Sequence, residues 1–385
     1  DIKPWAGLFF HNIDSSEAEH LSSLVHAGLA TTSIHAFNGG FFYYDHSGSD
    51  WPDDVMADHY AEGTQWHQDN DIPISKFVLP HYYEIGTNAF QGLSDWDVEF
   101  VGTQMDPGTS YGDPWLVGGP YRLYEPRQSS RYGGPGYYAD FLSVPGHPEF
   151  DGEFFNCVTE IRDDAGYEWY PDNDVQGSIG RGTRQTKRAL DSMVLATLFT
   201  HGQHVYDITQ DNWRAILDGI TSNLESYDPI YVTLDHGCQY ARAMYTSHIA
   251  DSTYNTSSRE LTTTFGGETD MPTMFYLFTE RDNEIQYELV DVPTFSGSTE
   301  VVHQIAGPLD HIVVSPDTAE VVTGADQQFS AEGYDADNNP IPNLSFTWDV
   351  VNGGGTIDAD GLFTAGTVPG VYTDTVAASH GGTEG

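Results

Sequence analysis

Over the first 250 residues, short apolar runs alternate with polar or helical stretches: WAGLFF, TTSIHAF, ISKFVLPHYY, VEFVGTQ, MVLATLFTHG and PIYVTLDHG. Short buried strands separated by helix-length segments are what a parallel α/β sheet or barrel requires, because each strand needs a crossover before its neighbour can lie alongside. Helices are legible at SSEAEHLSSLVHAG, with Ser15 or Ser16 as cap and Gly28 as stop, and at TQDNWRAILDGITSNLESY. Several of the apolar runs end on a histidine, namely His35, His81, His201 and His236. In a parallel barrel the C-terminal strand ends share one face, which is where active sites sit.

Residues 103–185 break this rhythm, being rich in Gly, Pro, Tyr and Asp without clear periodicity. Such a stretch is read as an aromatic insertion lining a cleft, or equally as a structural apron over the core. Tyr and Trp at 111–138 and 168–170 are candidates for stacking on sugar rings. Beyond residue 250 helical signals fade, and RELTTTFGG, MFYLFTE and EIQYELVDVPTF predict a small β-sandwich extension over 251–308. From Leu309 the chain resembles the bacterial Ig-like family over 309–385, through IVVSP, the FSAEGYDADNNPI hairpin, Trp348 and the GTIDADGLFTAG turn. The string DADNN at 335–339 is compatible with Ca²⁺ ligation but is more simply a hairpin turn. The chain begins at Asp1 without a Met and ends where an Ig-like domain would add a closing strand, so it reads as a piece of a longer or processed polypeptide.

Charge bounds the environment. With 58 acidic residues against 14 basic ones, the formal net charge is −44, spread over the whole chain. That surface disfavours nucleic acid and anionic membranes as partners. Its self-repulsion is tolerable only where salt screens it, the Debye length being about 3 Å at 1 M. The expected setting is therefore a high-salt one, as for a halophilic archaeon, at the cell surface or outside the cell, the alternative being an acidic secreted protein from an ordinary source. No run of 18 apolar residues offers a membrane span. Sequons at Asn255 and Asn343 fit a glycosylated, exported protein. Cys157 and Cys238 allow one disulfide or none.

Eight of the sixteen histidines (His11, His20, His26, His35, His46, His59, His67 and His81) lie within the first 81 residues. Neutral imidazoles and a carboxylate at the mouth of a barrel can hold Zn²⁺ with an open position for water, lowering the pKa of that water to about 7. A nearby His can then protonate a leaving group. Asp45 and His46 are adjacent, so in a strand only one could point inward.

The order of elements over residues 5–250 resembles the NodB-type polysaccharide deacetylases, carbohydrate esterase family 4. LVHAGLATTSIHAF is similar to the family's helix, Gly turn and strand leading to a metal-binding His, which places His35 in the ligand position. KFVLPHYYEIGTNAFQGLSDWDVEFVG resembles the motif whose Pro opens one wall of the groove, and ATLFTHGQHV resembles the closing motif, with His201 in the place of the general acid. Where the family has its second ligand His stands Gly39, the next His being His46, and no paired-Asp strand precedes WAGLFFHNID, so the expected barrel is incomplete at its N-terminus. The resemblance implies a divalent metal, zinc in most members, and removal of acetyl groups from a polysaccharide.

The expected architecture is thus an α/β barrel over 1–250, an all-β extension over 251–308 and an Ig-like β-sandwich over 309–385. The expected function is metal-dependent deacetylation of a surface glycan, with His35, His46 and Asp45 as ligands, His201 as general acid, and His81, Tyr82, Glu84 and His204 contacting substrate. Two rivals stand beside it. One is a catalytically silent protomer of a cell-surface layer, filament or viral appendage, with a homo-oligomer or larger assembly as partner. The other is a glycan-binding module. The charge generates a first prediction: the melting temperature rises steeply between about 0.1 and 3 M KCl. A flat melting curve across that range removes the halophile inference.

Overall fold

A computed structural model describes residues 2–38, 40–45, 49–103, 108, 139–157, 168–191, 195–281 and 284–385. The chain divides into two compact units, Asp1–Thr246 with Thr269–Met271, and Ser247–Glu268 with Pro272–Gly385.

The first unit opens with β1 (Trp5–Phe9), α1 (Ser15–His26), β2 (Thr31–Ala36), α2 (Asp53–Asp69), β3 (Phe77–Val78), α3 (Phe90–Asp95) and β4 (Phe100–Val101). It continues with β5 (Ala139–Phe141), β6 (Phe155–Cys157), α4 (Val175–Asp191), α5 (Gln210–Ser222) and α6 (Leu234–Thr246). β1 pairs with β2, β3 with β4 and β4 with β6, all parallel, while β5 runs antiparallel to β6 at the edge. Ser75 N–H donates to Thr32 O (2.9 Å), joining β2 to the approach of β3. Buried on both faces, the strands contribute Leu8, Ile34, Phe77, Val78, Phe100, Val101 and Phe155 to the core.

Local signals explain the elements, and correct some of the expected ones. α1 is capped by Asp14, not by Ser15 or Ser16: its carboxylate accepts from the N–H of Ser16 and Glu17 (both 2.9 Å), and Glu17 reaches back to Asp14 N–H (3.0 Å). This reciprocal box satisfies two more helix-end donors than a lone Ser would. At the other end Gly28 takes φ +67°, and Leu29 N–H donates to Leu24 O, closing the helix as a Schellman turn. PIYVTLDHG, read as a strand, is helical from Leu234 onward, because Thr233 caps it (His236 N–H to Oγ1, 3.4 Å) and Asp235 accepts from Ser75 Oγ and Lys76 N–H. His236 accordingly lies exposed on a helix and not at a strand tip. Residues 195–200 of MVLATLFTHG form neither helix nor strand; Trp169 N–H to Phe199 O (3.1 Å) ties them to the segment carrying Glu168. Cys157 and Cys238 are free thiols buried in one cluster with Phe77, Phe100 and Ala241.

Among the described residues the second unit holds strands and turns alone. β7 (Ser247–Asn255), β8 (Glu260–Thr269) and β11 (Phe295–Gln304) form a sheet in the order β11-β8-β7, and β9 (Thr273–Arg281) pairs with β10 (Glu284–Val292) in a long hairpin. The segment from Leu309 onward makes three small sheets, each of three strands. Asn255 ends β7 on the surface, and Asn343, also exposed, donates Nδ2–H to Tyr287 O (2.5 Å). Among the described residues no helix is long and apolar enough to cross a membrane.

Asp335, in the calcium-like string, is wholly buried and serves as a hub. It accepts from the N–H of Gly307 (2.7 Å), Asp337 (2.9 Å) and Asn339 (2.8 Å), and faces Arg259 Nη2 (3.4 Å). Burial pushes its pKa up, but those donors outweigh it and hold the carboxyl well below the usual carboxylate range. With its oxygens taken by N–H groups, the string is used as a hairpin turn. Asp335→Ala, which strands these donors, is expected to destabilise the second unit by about 3 kcal/mol, read from urea melts in high salt.

Candidate metal centre and its histidine neighbours

His35 stands one residue before the end of β2, and its Nδ1 lies 2.6 Å from Leu79 O. A carbonyl only accepts, so Nδ1 carries the proton and Nε2 presents its lone pair. Burial lowers the His35 pKa to about 4; the Leu79 carbonyl opposes this, while His81 and His201 add to it. The imidazole is therefore neutral at neutral pH.

His81 follows Pro80 in a tight turn, His81–Tyr83. Its ring centroid is 5.0 Å from that of His35, and Phe9 meets both rings edge-on at 5.3 Å. Phe41 packs on His81 (5.1 Å) and stacks on Tyr82 (5.6 Å). Tyr82 and Tyr83 take φ of +55° and +62°, a left-handed conformation costing roughly 1–2 kcal/mol per residue. The surroundings fix it: Tyr83 N–H donates to Pro80 O (2.9 Å), and Thr103 Oγ1–H to Tyr83 O (2.8 Å). Strain of this kind is retained where a side chain must be aimed.

Glu168, His201 and His204 form the second cluster, each offering a donor atom within 4.8 Å of the others. His201 Nδ1 and His204 Nε2 meet the same carboxylate oxygen of Glu168, at 2.8 and 3.1 Å. The Glu168 side chain is only 7% exposed, whereas His201 at 47% opens to solvent. Glu168 is positioned by its neighbour Trp169, whose indole N–H donates to Ser178 O (3.2 Å) in α4 and whose ring stacks on Trp213 (5.7 Å). His204 is reached by a short turn, Gly202–His204, after His201, and Tyr170 packs edge-on against it at 4.4 Å.

A buried carboxylate is costly unless a cation or several hydrogen bonds compensate it. Among the described residues its ion-pair partners are these two imidazoles. Two imidazoles and a carboxylate are also a known three-ligand set for catalytic zinc, with bonds of about 2.0–2.2 Å. Tetrahedral bonds of that length separate ligand atoms by about 3.3 Å, close to the two N···O distances of 2.8 and 3.1 Å. The group can hold a metal ion.

The predicted residues are distributed unevenly over this geometry. His201 and His204 come together, with Glu168 as an added partner, and His35 adjoins His81. Asp45 is half-buried, exchanges backbone hydrogen bonds with Ser49 (3.2 and 3.4 Å) and is not part of the three-residue group. His46 lies outside the described residues. Tyr82 is exposed over the Phe41 ring, and Glu84 is buried beyond the turn, its N–H donating to His81 O (3.2 Å). Glu168 escaped sequence reasoning because it sits in the aperiodic stretch, thirty-three positions before His201. Its one signal was an acid flanked by aromatics in YEWY.

No protein-family model matches the chain, and a search of the curated proteins returned no match.

The neutral state of His35 makes a pH prediction. Its folded pKa lies below the unfolded value of about 6.5, so between about 6.5 and 4 the unfolded chain binds a proton that the folded chain refuses. This contribution to stability is complete above pH 6.5 and is lost as pH falls towards 4. In His35→Asn the fall in urea midpoint from pH 7 to 5, at fixed salt, should be shallower than in the wild type. Equal slopes would show that His35 titrates normally.

Proposed function

We propose that the first unit is a metal-dependent hydrolase that removes acetyl groups from a glycan, built on a NodB-like α/β barrel. The observation that carries the reading is the buried Glu168 carboxylate shared by His201 and His204, with neutral His35 close by. Glu168, His201 and His204 are the metal ligands, and zinc is the metal their chemistry suits best. The bound ion would supply a water acidic enough to ionise near neutral pH and would polarise the acetyl carbonyl. His35 turns its Nε2 lone pair to the reacting water as hydrogen-bond acceptor, its orientation fixed by Leu79 O. With His201 among the ligands, the proton for the departing sugar oxygen or nitrogen falls to His81, held by Phe9, Phe41 and the strained turn. Tyr82 and Tyr170, 45% and 42% exposed, offer ring faces to the sugar. The expected location is the cell surface or exterior of an organism living in high salt.

The rival reading, a structural protomer of a surface assembly, draws on the β9–β10 hairpin. There Tyr276, Phe278, Tyr287 and Leu289 are 45–63% exposed on one face. It makes the metal dispensable, so one experiment separates the two.

Protein stripped with chelator and reloaded with zinc in 3 M KCl is expected to release acetate from acetylated chito-oligosaccharides or acetylxylan. Glu168→Gln should weaken zinc binding, read by elemental analysis, by about 100-fold or more and abolish release, while leaving the circular dichroism unchanged. Zinc retained at wild-type affinity by Glu168→Gln, or acetate released as fast after stripping, would sink the proposal.

A further inference from the structure

In a chain of net charge −44, one helix runs the other way. α4 carries Arg181, Arg184, Lys187 and Arg188, four of the fourteen Lys and Arg residues, against the single acid Asp191. At 100° per residue these four positions, together with Gly177 and Gly180, fall on one face. The opposite face holds the buried residues Ser178, Ile179, Gly182, Gln185, Thr186 and Ala189. The cationic strip extends about 10 Å along the helix, long enough to span more than one sugar residue.

The strip is coupled to the metal centre. Arg181 Nη2 donates to Tyr170 O (2.7 Å) and faces Asp172 (3.4 Å), and the Tyr170 ring lies against His204. Lys187 stands 5.8 Å from the Tyr227 ring, and Arg184 is exposed. Arg181 thus anchors the backbone of Tyr170, whose ring packs on His204, while Arg184 and Lys187 lie further along the same face of the helix.

We propose that the basic face of α4 is a docking strip for an anionic glycan, one bearing uronate or sulfate groups, and that it leads such a strand past Tyr170 to the metal centre. The substrate assignment rests on the hydrolase reading; binding by the strip does not. At the salt this surface needs, long-range attraction is screened within about 3 Å. Selection then comes from contact pairs, and the guanidinium fork suits a carboxylate or sulfate. A glycan is favoured over another polyanion because the strip ends at an exposed aromatic ring, and over a second copy because that ring adjoins the catalytic group.

The test is titration calorimetry in 0.5 and 2 M KCl with polygalacturonate and with its fully methyl-esterified, neutral form. The wild type should bind the acid form at least about tenfold more tightly than the ester. Arg184→Gln/Lys187→Gln should lose about tenfold on the acid form only, with an unaltered melt. Glu168→Gln, impaired in zinc binding, should bind polygalacturonate like the wild type, so failure of the metal reading registers separately. Equal affinity for acid and ester, or an unaffected double variant, overturns the proposal. So does binding of poly(dT), or self-association abolished by the double variant, in the absence of polygalacturonate binding.

Discussion

Glu168 is a carboxylate with almost no access to water, and its charge has to be borne by what surrounds it. Two imidazoles reach the same oxygen. For that to happen, the 168–170 segment, the 195–201 segment and α4 must be locked together. Trp169 does this with its backbone N–H on Phe199 O and its indole N–H on Ser178 O. Around it, Ile179, Ile216, Ile220 and Leu224 form a separate small core. Each such side chain, fully buried, contributes about 1.5–3 kcal/mol. The site is therefore as rigid as the packing of α4 on α5, and the same packing leaves Arg184 exposed on the opposite face of α4.

The two units treat a buried carboxylate in opposite ways. Asp335 is saturated by backbone N–H groups and an arginine, an arrangement that holds it ionised with its oxygens already occupied. Glu168 is met by groups that could themselves ligate a metal, and His201 opens to solvent on one side. The first arrangement fixes a turn. The second leaves a group able to hold a metal ion, and it is the donors, not the burial, that distinguish the two carboxylates.

Histidine does several jobs in a protein so short of lysine. His11 and His26 meet Glu62 and Asp71 at the surface, while His59 and His67 bond the carbonyls of Phe42 and Ile72. Half of the eight N-terminal histidines are thus accounted for by ordinary hydrogen bonding. His35 also bonds a carbonyl, but its ring meets the imidazole of His81, 5.0 Å away between centroids.

The sequence by itself determined the charge, the βα order of the first unit, the strands beyond residue 250, and the placing of His35, His81 and His201 near the ends of apolar runs. These follow from side-chain composition and local periodicity, which act within a few residues. It also carried α5 and the Gly28 stop, whose signals are local caps. The helix at Leu234 was lost because the apolar run before it looked like a strand, and its decisive contact, Asp235 with Ser75, spans 160 positions. The partner of His201 was settled only in three dimensions, since nothing in an aperiodic stretch says which acid will be buried. Packing of Trp169 against α4 decided that it is Glu168, because a carboxylate withdrawn from water must find its compensating donors wherever the fold brings them.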